Sequence, residues 1–175
     1  MKNFVSKFFA AVYLVTVSLG FFTAAYAAGE KIAYVDFIKV FDDYNKTKDS
    51  DKRLESKRTT MQKDREKLVS EIKKLKDEMD LMGDKGKETK QAAIDGKLKK
   101  LQDFDRESRD ALLKERDDMA RQIGKEIKDL VDEIGKKEGY FLILDSRAIL
   151  YGKEGDNLTG MILKALNERY AKGKK

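Results

Sequence analysis

Cysteine, histidine, proline and tryptophan are all missing from this 175-residue chain. Without cysteine there is no disulfide, so stability has to come from packing within or between chains, and no lipid can be attached through a cysteine at a processed N-terminus. With neither histidine nor cysteine, acid–base and nucleophilic chemistry would have to be assembled from Asp, Glu, Lys, Ser and Tyr. No spacing of these stands out from a background in which 40% of residues are charged. The chain therefore reads as non-enzymatic, with no catalytic residue, no metal ligand and no cofactor. Long apolar runs are scarce too. The one present, Phe8 to Phe22, spans about 15 residues where a bilayer needs about 20.

That run follows Lys2 and Lys7 and precedes Ala25-Tyr26-Ala27, the layout of a cleaved secretory signal. Cleavage is expected after Ala27, leaving a soluble mature chain of 148 residues (175 less 27). Net charge is +6, and +4 once the two signal lysines are removed. A basic balance implies an acidic partner. For an exported chain that partner is expected to be anionic head groups or acidic unfolded protein, not nucleic acid.

What remains is mostly helix with a small β component. Lys31 to Asp36 is a short β-rich run, and Phe37, Val40, Phe41 and Tyr44 then recur at helical spacing. From about Asp49 a strict heptad sets in: Leu54, Met61, Leu68, Leu75 and Met82, joined by Ile72 and Met79. Gly83-Asp84-Lys85-Gly86 signals a turn. It resembles a phosphate loop only superficially, because Leu81 stands where the first glycine belongs and Glu88 where Ser or Thr should follow the lysine. Ile94, Leu98, Leu101, Leu112 and Met119 continue the seven-residue frame, then Ile123, Leu130 and Ile134 shift to an eleven-residue one, which predicts a straighter base. Gly124 in this stretch is either a bending point or a close packing contact. Gly139 is expected to stop the helix.

Two helices joined by a short turn are antiparallel neighbours. Positions whose numbers add to about 170 should then face one another: Leu75 and Ile94, Ile72 and Leu98, Leu68 and Leu101, Met61 and Ser108, and the polar seam pair Arg65 and Asp105. Arg58, Ser108 and Glu115 are further polar seam positions, so the middle of the arm has few apolar contacts and should flex, unless Arg65 and Asp105 simply set register. Beyond the arm, Tyr140 to Asp145 and Ala148 to Tyr151 read as strands. Leu158, Met161, Ile162, Ala165 and Leu166 describe an amphipathic helix. Asn157-Leu158-Thr159 matches a glycosylation acceptor by chance.

The expected division is a signal peptide at 1–27, a β-containing body at 28–45 and 139–175, and a helical hairpin arm at 46–138 with its turn at 83–86. The body amounts to about 55 residues, a size at which a unit buries only about 60% of its unfolded-chain surface. Association through its strands is the remaining source of stability. The residues expected to join copies are Ile32, Tyr34, Val35, Leu142, Ile143, Leu144, Ile149 and Tyr151.

The opening Lys31-Ile32-Ala33-Tyr34-Val35-Asp36 with Val40-Phe41, the closing Leu142-Ile143-Leu144-Asp145 with Ala148-Ile149-Leu150-Tyr151, and Asp156-Asn157-Leu158-Thr159 before Ile162 and Leu166 together resemble the Skp/OmpH family of periplasmic chaperones. The resemblance covers essentially the whole mature chain. It implies an α+β, predominantly helical homotrimer whose small β-barrel body carries three coiled-coil hairpin arms around a cavity. In that cavity the family shelters unfolded outer-membrane proteins in the periplasm, without ATP. It also implies a possible link to lipopolysaccharide or an anionic membrane surface.

Binding of such partners is expected to be diffuse. The candidate residues are Lys73, Lys74, Lys76, Lys85, Lys87, Lys90, Lys97, Lys99 and Lys100 on the basic outer arm, with Met79 and Met82 as adaptable apolar contacts. Solvated helix faces and ordinary seam packing are the plainer readings of the same residues. An exported tether that bridges envelope layers, and a binder of anionic surfaces, are the competing functions.

Overall fold

The computed structural model describes residues 30–173, so the expected signal segment lies outside the described residues. A short strand β1 (Ile32–Val35) leads into helix α1 (Phe37–Asp43). Two long helices follow, α2 (Asn45–Asp80) and α3 (Asp84–Glu138). Then come strand β2 (Leu142–Asp145), 3-10 turns at Ser146–Ala148 and Glu154–Asp156, and the closing helix α4 (Thr159–Gly173). The architecture is a small α+β body from which α2 and α3 run out as an antiparallel hairpin. At 1.5 Å per residue the 36 residues of α2 extend about 54 Å and the 55 of α3 about 80 Å.

Local chemistry sets the ends of these elements. Asp36 caps α1, its carboxylate accepting from the Lys39 N–H at 2.8 Å. The Asp36 N–H in turn donates to Thr159 Oγ1 at 2.9 Å, which ties the start of α4 to the end of β1. Gly139 ends α3 in the left-handed conformation (φ 70°, ψ 34°), as the sequence predicts, and the Tyr140 N–H closes back on the Gly135 carbonyl at 2.9 Å.

The hairpin turn comes slightly earlier than expected. Leu81, Met82 and Gly83 make the reversal, and Gly86 already lies in the first turn of α3, its N–H donating to the Gly83 carbonyl at 2.9 Å. One glycine is enough to reverse the chain. Similarly α2 begins at Asn45, ahead of the first heptad position, because Tyr44 is anchored in the body and the helix starts directly from it.

The sheet differs from expectation. β2 pairs with β1 in parallel, Ile32 opposite Leu142 and Tyr34 opposite Leu144, and not with residues 148–151. The second closing strand does not form within the described chain. Asp145 accepts from the Arg147 N–H at 2.9 Å and winds Ser146–Ala148 into a 3-10 turn, which carries the chain away from a hairpin. Ile149 is extended (φ −123°, ψ 147°) yet belongs to no ladder. On the other side of β1, Tyr34 bridges Asn157, and the Leu158 N–H donates to the Tyr34 carbonyl at 2.8 Å.

The core is shared between body and arm base. Ala33, Val35, Val40 and Tyr44 pack with Leu158, Ile162 and Leu166 of α4 and with Met119, Ile123, Ile127 and Leu130 of α3. Ile127, four residues beyond Ile123, is fully buried although it falls outside the eleven-residue spacing. Gly124 faces Phe37, where an added Cβ would lie 3.8 Å from the ring, so it is a packing contact.

Candidate functional site

The arm is joined by cross-links between α2 and α3. Arg65 Nε donates to Asp105 Oδ1 at 2.9 Å, the pair that the seam register predicts. Toward the body, Glu115 receives Lys57 at 2.5 Å and Arg53 at 3.3 Å, and Lys46 binds Glu126. Toward the tip, Lys97 reaches Glu71 at 2.5 Å and Lys90 reaches Glu78. Residue numbers in every one of these pairs add to about 170, so one register runs the length of the hairpin. The hydrogen bond from Lys57 holds the Glu115 carboxyl below its ordinary range, and Lys97 does the same for Glu71.

These pairings divide the candidate lysines. Lys90 and Lys97 are half-buried and engaged with carboxylates of the facing helix. Lys73, Lys74, Lys76, Lys99 and Lys100 are exposed, and Lys74 and Lys100 add their charge to that of Lys97 in holding the Glu71 carboxyl down. Lys85 and Lys87 are exposed at the tip. Met79 is half-buried in the seam and Met82 is exposed, beside Leu81, whose side chain stands almost entirely in solvent at 89%.

At the arm's root, α4 clasps the hairpin. Tyr44 and Tyr170 meet edge to face with centroids 5.8 Å apart. Tyr44 Oη donates to Glu126 at 3.2 Å, the Asn45 N–H to Asn167 Oδ1 at 2.9 Å, and Arg169 pairs with Glu133 at 2.6 Å. Burial, and then the Glu126 carboxylate, push the Tyr44 phenol well above its ordinary range, so it stays protonated as a donor. Tyr170 continues the four-residue steps of Leu158, Ile162 and Leu166 one turn further, a signal the sequence reading missed, whereas nothing in that spacing points to Asn167.

The candidate oligomerisation residues separate by face. Val35 is buried in the chain's own core, and Ile143 packs toward Gly135 of α3. Ile32 and Leu142 pair on the outward face and are 47% and 42% exposed, with Tyr34 and Leu144 half-buried beside them. Tyr151 and Leu150 project almost entirely into solvent and Phe141 is 65% exposed, while Ile149 is half-buried. So many large apolar side chains exposed on a small body mark an interaction site. Among the described residues no group of three or more Asp or Glu is placed to hold a metal ion, and no helix is long and apolar enough to cross a membrane.

A family model described as outer membrane protein (OmpH-like) matches residues 31–166. A Vibrio cholerae protein named chaperone protein Skp is 28% identical over 174 residues, covering 95% of this chain and 99% of its own length. A protein of the same name from Photorhabdus luminescens is 27% identical over 151 residues, covering 82% of this chain and 89% of its own. The crystal structure of a putative outer membrane chaperone (OmpH-like) from Caulobacter crescentus superposes with a TM-score of 0.73 over 80% of this chain and 85% of that one. At 12% identity this is a likeness of fold.

Proposed function

Because the chain belongs to the OmpH-like outer membrane protein family, we propose that it is a periplasmic holdase chaperone, sheltering unfolded outer-membrane proteins among basic helical arms without using ATP. Three copies join through the outward sheet face, the free edge of β2 and the extended segment at 149–151 to close a small barrel. Their arms then surround the client. Removal of residues 1–27 delivers the mature chain to the periplasm. The chaperone name of the V. cholerae and P. luminescens relatives supports this reading.

The observation that carries it is the pairing of two features in one chain. Ile32, Leu142, Leu150 and Tyr151 leave the body with apolar surface in solvent, and the hairpin reaches tens of ångströms away from that same body. Exposed lysines along the outer arm give weak, salt-sensitive attraction to acidic chains. The test is to dilute a urea-denatured outer-membrane β-barrel protein into nucleotide-free buffer containing residues 28–175. Suppressed turbidity at about one assembly per client is expected; aggregation undiminished by excess protein would reject the reading.

A second reading, contact with lipopolysaccharide or another anionic surface, is favoured by the fully solvated Leu81 between lysine-bearing segments at the tip. Binding to anionic vesicles without protection of the client would select it.

A further inference from the structure

Midway along the arm the seam is underfilled. Met61 faces the short Ser108, and the gap opens a groove of about 310 Å³, at the small end of ligand clefts, which run from about 300 to 1,000 Å³. Phe104 and Leu112, both half-buried, supply an apolar floor with Met61, and Leu113 stands 44% exposed at the rim. Three arginines, 58, 65 and 109, surround this floor against one lining carboxylate, Asp105. Arg65 reaches Asp105 through Nε, and among the described residues its terminal nitrogens make no further hydrogen bond and Arg58 has no ion-pair partner, whereas Arg109 is paired with Asp110 at 3.7 Å. The groove begins 12 residues beyond Lys46 at the root, about 20 Å out along the helix.

We propose that this groove is a docking notch for extended polypeptide, receiving a large apolar side chain on the floor of Met61, Phe104 and Leu112 while a neighbouring carboxylate meets Arg58 and Arg65. The proposal deepens the holdase reading and rests on it for the identity of the chain that docks. Charge selects the occupant: Arg58 and the terminal nitrogens of Arg65, beside an apolar floor, repel basic segments and pair with acidic ones, a fork-shaped donor being suited to a carboxylate. The larger cleft at the root, about 600 Å³, lacks such a floor: its lining is mostly charged and polar, with Ala111, Met119 and Tyr170 as its less polar members, and its Lys46, Arg53 and Lys57 are engaged by Glu126 and Glu115. Unlike the lysine faces, the notch gives the arm a preferred position for a client.

The probe is a fluorescein-labelled disordered peptide with phenylalanines spaced by aspartate, glycine and serine, titrated with residues 28–175 and read by anisotropy. Binding is expected, and Leu113→Glu and Arg58→Glu should each weaken it by about fivefold or more. Val69→Glu, at an exposed apolar arm position outside the notch, should leave it unchanged. A peptide with lysine in place of aspartate should bind more weakly than the acidic one. The milder Leu113→Ser, checked for helicity, guards against loss through misfolding.

Absence of binding by the parent protein, equal binding by Leu113→Glu and Arg58→Glu, or equal weakening by Val69→Glu overturns the notch. Client aggregation measured in parallel separates the two claims. Protection with a dispensable notch sinks only this inference, whereas notch-dependent peptide binding without protection sinks only the holdase reading.

Discussion

Arg65 Nε lies 2.9 Å from Asp105 Oδ1, joining the middle of the outgoing helix to the middle of the returning one. The two side chains are 43% and 42% exposed, so water screens the pair and its net contribution is about 1 kcal/mol or less. Its position matters more than its strength. It sits at the edge of the underfilled seam, where apolar residues would have zipped the helices together.

Replacing Arg65 and Asp105 together with leucine should raise the thermal midpoint of helix unfolding measured by circular dichroism, while Arg65→Leu alone should lower it slightly. If arm softness sets client size, the double variant should also lose capacity for large clients. Unchanged capacity would leave register as the pair's role.

Gly152 approaches the Tyr34 ring so closely that an added Cβ would lie 2.5 Å from Cε1. Gly152→Ala should therefore displace the ring or the 149–152 segment at a cost of about 1–3 kcal/mol, visible as a lower urea midpoint. Gly160, in the first turn of α4 with nothing near its Cβ position, is the control; Gly160→Ala should be neutral or slightly stabilising.

Gly139→Ala places a side chain on a residue with φ 70° and should destabilise the chain by about 1 kcal/mol, with fraying of the last turn of α3 in hydrogen exchange.

Glu71, Glu115 and Glu133 are held below the ordinary glutamate value, each chiefly by a hydrogen bond from a basic side chain on another helix. Depressed carboxyls stabilise the fold above the unfolded value of about 4.3 and lose that contribution as pH falls through their folded values. The thermal midpoint should thus stay flat from pH 7 to about 5 and drop below about pH 4. Lys57→Met should shrink that drop by releasing one of the bonds on Glu115.

The arm was the legible part of this molecule. A heptad on either side of a glycine turn leaves a single antiparallel register, which is why Arg65 and Asp105 could be paired from their numbers alone. The body was less so. Residues 148–151 have strand chemistry, but the 3-10 turn that Asp145 nucleates removes them from β2, and they join no ladder among the described residues. Ile127 lies a four-residue step beyond Ile123, off the eleven-residue period, so the spacing does not mark it although it is fully buried. Asn167 carries no periodic signal, since its role comes from the single bond it accepts from the Asn45 N–H, whereas Tyr170 stands one helical step beyond Leu166 and was legible there. The facing of Met61 and Ser108 was legible in the register, but the groove that opens there, with Phe104 and Leu112 in its lining, was not.

A body with its apolar sheet face bared should assemble copies and so gather the arms. Light scattering on the size-exclusion peak of residues 28–175 tests it most directly. About three times the mass of one mature chain is expected, falling to a single chain in a variant carrying Leu142→Glu and Tyr151→Glu. A monomer for the unmodified protein would contradict the account.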